Sequence, residues 1–161
     1  MVEMLPGVLP ALGWLLLAPG GLAVEWEPVW SREEGAASVA FEGGTARVTH
    51  RGGKDWALAR PDRVPVKPGE IWEIGGRVRT KDLQGGVTLG VILRDGRDQV
   101  LDWVYGGART TADHDWKRLA SRFLIPAGGA TVQFRATGDG PGAAWLQDLT
   151  LVRSDEAPVP R

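Results

Sequence analysis

Short runs in which apolar and polar residues alternate dominate the chain after residue 24. In the run 71–79 the apolar side chains fall on one face of an extended strand and the charged side chains fall on the other. The same split recurs in 117–125 and 131–137. A period of two predicts strands with one buried face, and two sheets of such strands can pack through their apolar faces.

Glycine, proline and aspartate separate these runs, and no segment has convincing helical periodicity. The pattern therefore predicts an all-β protein, an antiparallel two-sheet β-sandwich. The predicted strands are 24–31, 37–41, 45–51, 55–59, 71–80, 86–94, 99–105, 117–125, 131–137 and 143–152.

The amino-terminal segment has a different character. Residues 4–24 carry no charge, and their longest apolar stretch, 8–18, has the length of a signal-peptide core but is too short to span a membrane. We predict a signal peptide over 1–23, cleaved after Ala23, a β-sandwich domain over 24–153, and a tail or linker over 154–161. Because Glu3 precedes the apolar stretch and no lysine or arginine does, an uncleaved membrane anchor and an ordinary part of the fold stay open. Cleavage implies a secreted or extracytoplasmic protein.

Composition removes several function classes. The 19 basic and 20 acidic residues nearly cancel, so nucleic acid is not expected as a partner. The chain has no cysteine, which excludes disulfides, thiol catalysis and thiolate metal sites. Common nucleophile, phosphate-loop and zinc motifs are missing, and Glu70 and Glu73 fall on opposite faces of one strand. We therefore predict a protein that is not an enzyme.

Several segments form a recognisable series in chain order: Val-Lys-Pro-Gly-Glu at 66–70, Gly-Arg-Val-Arg-Thr at 76–80, Asp-Trp-Lys-Arg at 115–118, Phe-Leu-Ile-Pro-Ala-Gly at 123–128 and Trp-Leu-Gln-Asp-Leu-Thr-Leu at 145–151. Over 23–153 this series resembles carbohydrate-binding modules of the galactose-binding-like jelly-roll class, of the kind grouped in families four, nine and twenty-two. The resemblance implies a jelly roll that binds a polysaccharide or oligosaccharide without catalysis. It also implies attachment to a larger secreted enzyme or a surface assembly.

The resemblance further implies a structural calcium site that joins the first and last strands. In such modules an acidic residue before an early tryptophan and another in the closing strand share the ion, and Glu25 and Asp148 occupy these places. Carboxylate and carbonyl oxygens are the ligands that calcium prefers. The alternative, that both are ordinary exposed carboxylates, stays open.

Eight tryptophans are available for stacking on sugar rings. Trp56, Trp103 and Tyr105 are the predicted platforms, because Trp56 follows a turn and the other two share a strand face in an alternating pattern. Trp72 and Trp145 are predicted core residues and Trp116 a structural one, while Trp26 and Trp30 receive no assignment.

A polar face could complete the binding site. It is predicted to contain Glu73 and the ligand-binding candidates Arg77, Arg79, Gln133 and Arg135, all on one sheet. Its arginines can donate to hydroxyls or bind a uronate carboxylate, which makes an acidic polysaccharide worth testing. An ordinary solvated sheet face is the alternative reading. A structural or protein-interaction sandwich without a sugar site is the alternative function.

Overall fold

A computed structural model describes residues 25–154. This part of the chain contains eleven β-strands and no helix. The strands are β1 (Trp30–Ser31), β2 (Ala37–Glu42), β3 (Thr45–His50), β4 (Asp55–Ala59), β5 (Val64–Pro65), β6 (Ile71–Lys81), β7 (Val87–Arg94), β8 (Val100–Thr110), β9 (His114–Leu124), β10 (Thr131–Asp139) and β11 (Gly142–Ser154).

The strands form two antiparallel sheets. One has the order β1-β4-β10-β7-β8, with β5 paired to one end of β10. The other has the order β2-β3-β11-β6-β9. Neighbours within each sheet are often distant in sequence, and consecutive strands such as β6 and β7 belong to different sheets, as in a jelly roll. The predicted fold class, an all-β antiparallel sandwich, is confirmed.

The apolar faces of the two sheets pack into one core. The alternation predicted this: the face with Trp72, Ile74 and Val78 is buried, and so are Phe123 and Phe134. Side chains between these positions point away from the core and carry the polar chemistry of the molecule. Each sheet therefore presents one outer face, and the two outer faces lie on opposite sides of the sandwich.

Most predicted strands appear with small changes at their ends. The segment predicted as 24–31 contains only the two-residue β1, with Val24 outside the described residues. The short strand β5 was not predicted, because a pair containing Pro65 offers no alternating pattern. The strand predicted as 99–105 is longer than expected and continues to Thr110.

A β-bulge in β11 overturns one prediction about the core. The register with β6 shifts between Gln147 and Thr150, and Asp148 adopts a positive φ of 52° there. Before the bulge Leu146 points inward, and after it Leu149 points inward. Trp145, which the alternation grouped with Leu149, therefore points outward, and its assignment to the core was wrong.

Strand β8 is also irregular. Its register with β7 shifts at three places, and Gly106 has a φ of 66°. These irregularities break the rule that residues two apart share a face. As a result Tyr105 packs edge-on against Phe123 at a ring separation of 5.6 Å, while Trp103 is exposed on the outer face. The expectation that the two aromatics share a face was wrong.

The predicted signal peptide and most of the predicted tail fall outside the described residues. Whether the first 23 residues are cleaved therefore stays a prediction. Across residues 25–154, no helix has the length and apolar character needed to cross a membrane.

Candidate functional site

The outer face of the six-stranded sheet carries a cleft of about 590 Å³, lined by residues of β1, β4, β8 and β10 and by Arg32 beyond the end of β1. One row of cross-strand partners defines it. Trp30 of β1 is opposite Ala57, which is opposite Thr137 of β10, and this row continues through Thr88 to Arg109 of β8. Directly opposed residues point to the same side of a sheet. Because the side chains in the middle of this row are small and those at its two ends are large, the row forms a trough.

Two tryptophans stand at the sides of the cleft. Trp30 lies on one side and is 45% exposed, and Trp103 lies on the other and is 57% exposed. Val104 lines the cleft beside Trp103, over Gly90, where a Cβ would come within 3.0 Å of a Val104 methyl carbon. The missing side chain at Gly90 makes room for Val104 and lets the bulged β8 lie close to β7.

The cleft also contains two ion pairs. Arg32 donates two hydrogen bonds to Asp55, from Nε to Oδ1 and from Nη2 to Oδ2 at 3.0 Å. These hydrogen bonds and the arginine charge hold the pKa of Asp55 below its ordinary value, whereas the same contacts raise the pKa of Arg32. Arg109 donates to the Oδ1 atom of Asp139 at 2.8 Å. Both carboxylates are therefore oriented by arginines while remaining partly exposed.

Arg135 lies on the same face of β10, four residues before Asp139. Its guanidinium lies 5.3 Å from the ring centre of Trp103, and its Nη1 donates to the Trp103 carbonyl oxygen at 3.2 Å. Burial lowers the pKa of Arg135, although the charges of Asp55 and Glu27 act in the opposite direction. The arginine remains a cation, and the stacking and the hydrogen bond together position the indole of Trp103.

Three of the predicted ligand-binding residues, Trp103, Arg135 and Trp56, line this cleft. Their exposure differs. Trp56 is 3% exposed and belongs to the core cluster, so it lies beneath the floor of the cleft and offers little surface for stacking. The part that each plays in ligand binding stays a prediction.

Tyr105 and Gln133 hold structural positions. The Tyr105 hydroxyl donates to the carbonyl oxygen of Leu124 at 2.7 Å. Gln133 is 2% exposed, accepts a hydrogen bond from Arg94 at 2.7 Å and donates to Glu27 and to the carbonyl oxygen of Arg60. Neither residue lines the cleft.

Arg77 and Arg79 lie on the other sheet, in β6. Their guanidinium groups stack on Trp116 and Trp145 at 5.6 and 5.0 Å from the ring centres. The expectation that Glu73, Arg77, Arg79, Gln133 and Arg135 share one sheet was therefore wrong, because β6 and β10 belong to different sheets. The alternating pattern shows which residues share a face of one strand, but it does not show which strands are neighbours.

Glu25 and Asp148 do not form a metal cluster in the described part of the chain. There, no group of three or more histidine or acidic side chains is placed to hold a metal ion. The Asp148 carboxylate lies 4.0 Å from Arg77 and is largely exposed, as is Glu25. A calcium site built from these two residues stays a prediction.

Sequence reasoning missed several residues of the cleft: Trp30, Arg32, Asp55, Val104, Arg109, Thr137 and Asp139. They come from four strands and one loop, and only strand pairing brings them together. One signal was available in the sequence. Trp30 and Arg32 lie in a short, polar segment, where an aromatic side chain has few apolar neighbours to pack against and is more often exposed.

Neither a family model nor a curated protein matches the sequence. Solved structures do match. A family 4 carbohydrate-binding module has a TM-score of 0.58 and 15% identity over 81% of this chain and 88% of its own. The CBM22-1 xylan-binding domain of Xyn10C from Paenibacillus barcinonensis has a TM-score of 0.53 and 18% identity over 81% and 88%.

The chain has the jelly-roll fold of these carbohydrate-binding modules. The expected resemblance is thus confirmed at the level of the fold. The enzymatically active domain of tailspike protein 4 from bacteriophage CBA120 also matches, with a TM-score of 0.62 and 8% identity over 80% of this chain. This chain spans only 19% of that tailspike chain, so the jelly roll is one part of a larger protein there.

Proposed function

We propose that this chain is a non-catalytic carbohydrate-binding module that holds a polysaccharide or oligosaccharide in the cleft. One observation carries the proposal: Trp30 and Trp103 are exposed on the two sides of a trough whose floor is made of small side chains. Large aromatic side chains are normally buried, so two exposed indoles beside one cleft indicate a ligand surface. The shared fold with carbohydrate-binding modules supports the same conclusion.

The chemistry of the cleft suits a sugar. Indole rings stack on the C–H faces of pyranose rings, and carboxylates and guanidinium groups bind hydroxyls in defined directions. Asp55 and Asp139 are held by arginines but keep exposed surface, and Thr137 adds a hydroxyl to the floor. The fixed polar groups would select among sugars, while the tryptophans would supply most of the binding energy.

Asp55 and Asp139 are direct cross-strand partners, which raises the question of glycoside hydrolysis. A general acid needs a raised pKa, so that its carboxyl group is protonated near neutral pH. Arg32 instead lowers the pKa of Asp55, and Arg109 pairs with Asp139. The two carboxylates therefore suit hydroxyl recognition better than acid catalysis, which supports the non-catalytic proposal.

The proposed function also suggests where the protein acts. A module of this kind would act outside the cytoplasm, alongside a polysaccharide-degrading enzyme or a surface assembly. A membrane would be involved only through an uncleaved amino-terminal segment.

Isothermal titration calorimetry of the full chain against neutral and acidic glycans tests the proposal. We expect saturable binding that falls by about 5- to 150-fold in Trp30→Ala and in Trp103→Ala, since loss of one stacked ring costs roughly 1–3 kcal/mol. Trp145→Ala is the matched control, because this indole lies on the outer face of the other sheet. It should bind as tightly as the unmodified chain.

Two results would overturn the proposal. If no glycan in a broad panel binds, the alternative of a structural or protein-interaction domain is favoured. If the Trp145 and Trp103 variants lose the same affinity, the ligand does not use the cleft. Circular dichroism of each variant shows whether the fold is intact.

A further inference from the structure

The charges of the cleft do not balance. Three arginines and two aspartates line it, and four of these five groups form the pairs Arg32–Asp55 and Arg109–Asp139. Arg135 is the fifth. Among residues 25–154, no carboxylate is close enough to form an ion pair with it. One positive charge is thus left over within the cleft.

This charge is partly removed from water. Arg135 is half-buried on β10, opposite Gly90 on one side and Ala59 on the other. Both neighbours are buried, and Val104 lies over Gly90. Burial lowers the pKa of Arg135 more than the charges of Asp55 and Glu27 raise it, so the cation has lost part of its hydration.

The guanidinium of Arg135 contacts Trp103 in two ways. It stacks against Trp103, and one N–H group donates to the Trp103 carbonyl oxygen, the single hydrogen bond that its side chain makes within the described residues. Guanidinium has several further N–H donors arranged in a plane, and such a fork matches a carboxylate or a sulfate. The residue is therefore fixed next to a sugar platform with donors still unused.

We propose that Arg135 makes the cleft selective for glycans whose bound sugar unit carries a negative charge, either a uronate carboxylate or a sulfate ester. This inference rests on the proposed function and names its ligand class. An acidic sugar bound in the cleft beside Trp103 would place its anionic group against the guanidinium and neutralise the cleft. A neutral sugar would offer hydroxyl oxygens as acceptors but no negative charge, so covering the cation would carry a larger desolvation cost.

Titration calorimetry with two matched ligand pairs tests this selectivity on the full chain. The first pair is glucuronic acid oligomers and the same oligomers after reduction of their carboxyl groups. The second is sulfated galactan oligomers and their desulfated forms. We expect the charged member of at least one pair to bind about tenfold more tightly or better, and the pair that shows this identifies the anion.

The variant Arg135→Gln should reduce this preference, measured as the ratio of the two dissociation constants, to less than about twofold. Loss of the contact with Trp103 should affect both members of a pair alike, so it leaves this ratio unchanged. Arg135→Lys keeps the charge but loses the planar fork, so it should retain a weaker preference. Arg47→Gln removes the same charge from an exposed position on the other sheet and is the matched control. Thermal unfolding verifies each fold, and the lysine variant provides the test if the glutamine variant does not fold.

The outcomes separate the two proposals. Equal binding of charged and neutral partners in both pairs overturns the selectivity and leaves the proposed function standing. If Arg47→Gln reduces the preference for the charged member as much as Arg135→Gln does, the selectivity is also overturned, because the attraction is then a general charge effect. If no member of either pair and no other glycan binds, both proposals fail together.

Discussion

Gly138 lies directly opposite Trp56 in the ladder between β10 and β4, and the indole of Trp56 occupies the space that a side chain at position 138 would need. A Cβ at Gly138 would lie 2.4 Å from the indole Nε1 atom. Both residues line the cleft, and Trp56 also belongs to the core cluster. The absence of a side chain at position 138 therefore makes room for the buried indole beneath the cleft.

Gly138→Ala should destabilise the fold by about 1–3 kcal/mol, because the added methyl group would overlap the buried indole of Trp56. Urea denaturation followed by tryptophan fluorescence measures this. Gly53→Ala is the matched control: a Cβ at Gly53 meets nothing within 4 Å, so its effect should be small. Similar stability of the two variants would show that Trp56 repacks without cost.

Gln133→Leu should cost about 1–3 kcal/mol, although leucine is apolar and the site is buried. The substitution removes the acceptor of the Arg94 guanidinium and the donor to the Arg60 carbonyl oxygen, and it leaves both groups without these partners. Chemical denaturation provides the measurement. The same change at Gln99, which is exposed, should be nearly neutral. A neutral Gln133→Leu would mean that water replaces the lost partners.

Tyr105→Phe should lower stability by about 0.5–1.5 kcal/mol and leave glycan affinity unchanged. The hydroxyl donates to the Leu124 carbonyl oxygen, and the ring packs against Phe123 away from the cleft. Thermal unfolding and titration calorimetry of one preparation give both values. A loss of affinity without a loss of stability would place the hydroxyl in contact with the ligand.

The pair Arg32–Asp55 should make stability depend on pH in the acid range. Because the folded state lowers the pKa of Asp55 below 3.8, the ion pair stabilises the fold above that pH and is lost as the pH falls through the lowered value. Asp55→Asn should therefore be slightly less stable than the unmodified chain at pH 7, and the difference should disappear on acidification. Both side chains are largely exposed, so the effect is small.

Melting temperatures between pH 7 and pH 2 measure this dependence. Glu34→Gln is a suitable control, because Glu34 is exposed and has no ion pair among the described residues. It should follow the unmodified chain throughout. An Asp55→Asn deficit that stays constant with pH would show that the carboxylate charge is not what stabilises this edge.

How far the sequence predicted the fold can be seen along β6. The alternation around Ile74 and Val78 identified the buried face, and turn residues on both sides identified its ends. Local patterns sufficed because each strand must bury one face, and a period of two records which face that is. They failed in β8 and β11, where register shifts between Asp102 and Tyr105 and at Asp148 reverse the alternation.

The candidate site was only partly predictable. Trp103 and Arg135 were identified as ligand-binding candidates, and both line the cleft. Trp30 received no assignment, because nothing in its neighbourhood shows that β1 pairs with β4. The grouping of Arg77 with Arg135 was wrong for the same reason.

The sequence by itself determined which segments form strands, which face of most strands is buried, and that the fold is an all-β sandwich, since these depend on the order of residues within each strand. The tertiary structure decided which strands are neighbours, where bulges reverse a face, and which side chains share the cleft. These follow from long-range pairing, as when β4 and β10 bring Asp55 and Asp139 side by side. Such pairing depends on the packing of the whole sandwich, and no local pattern records it.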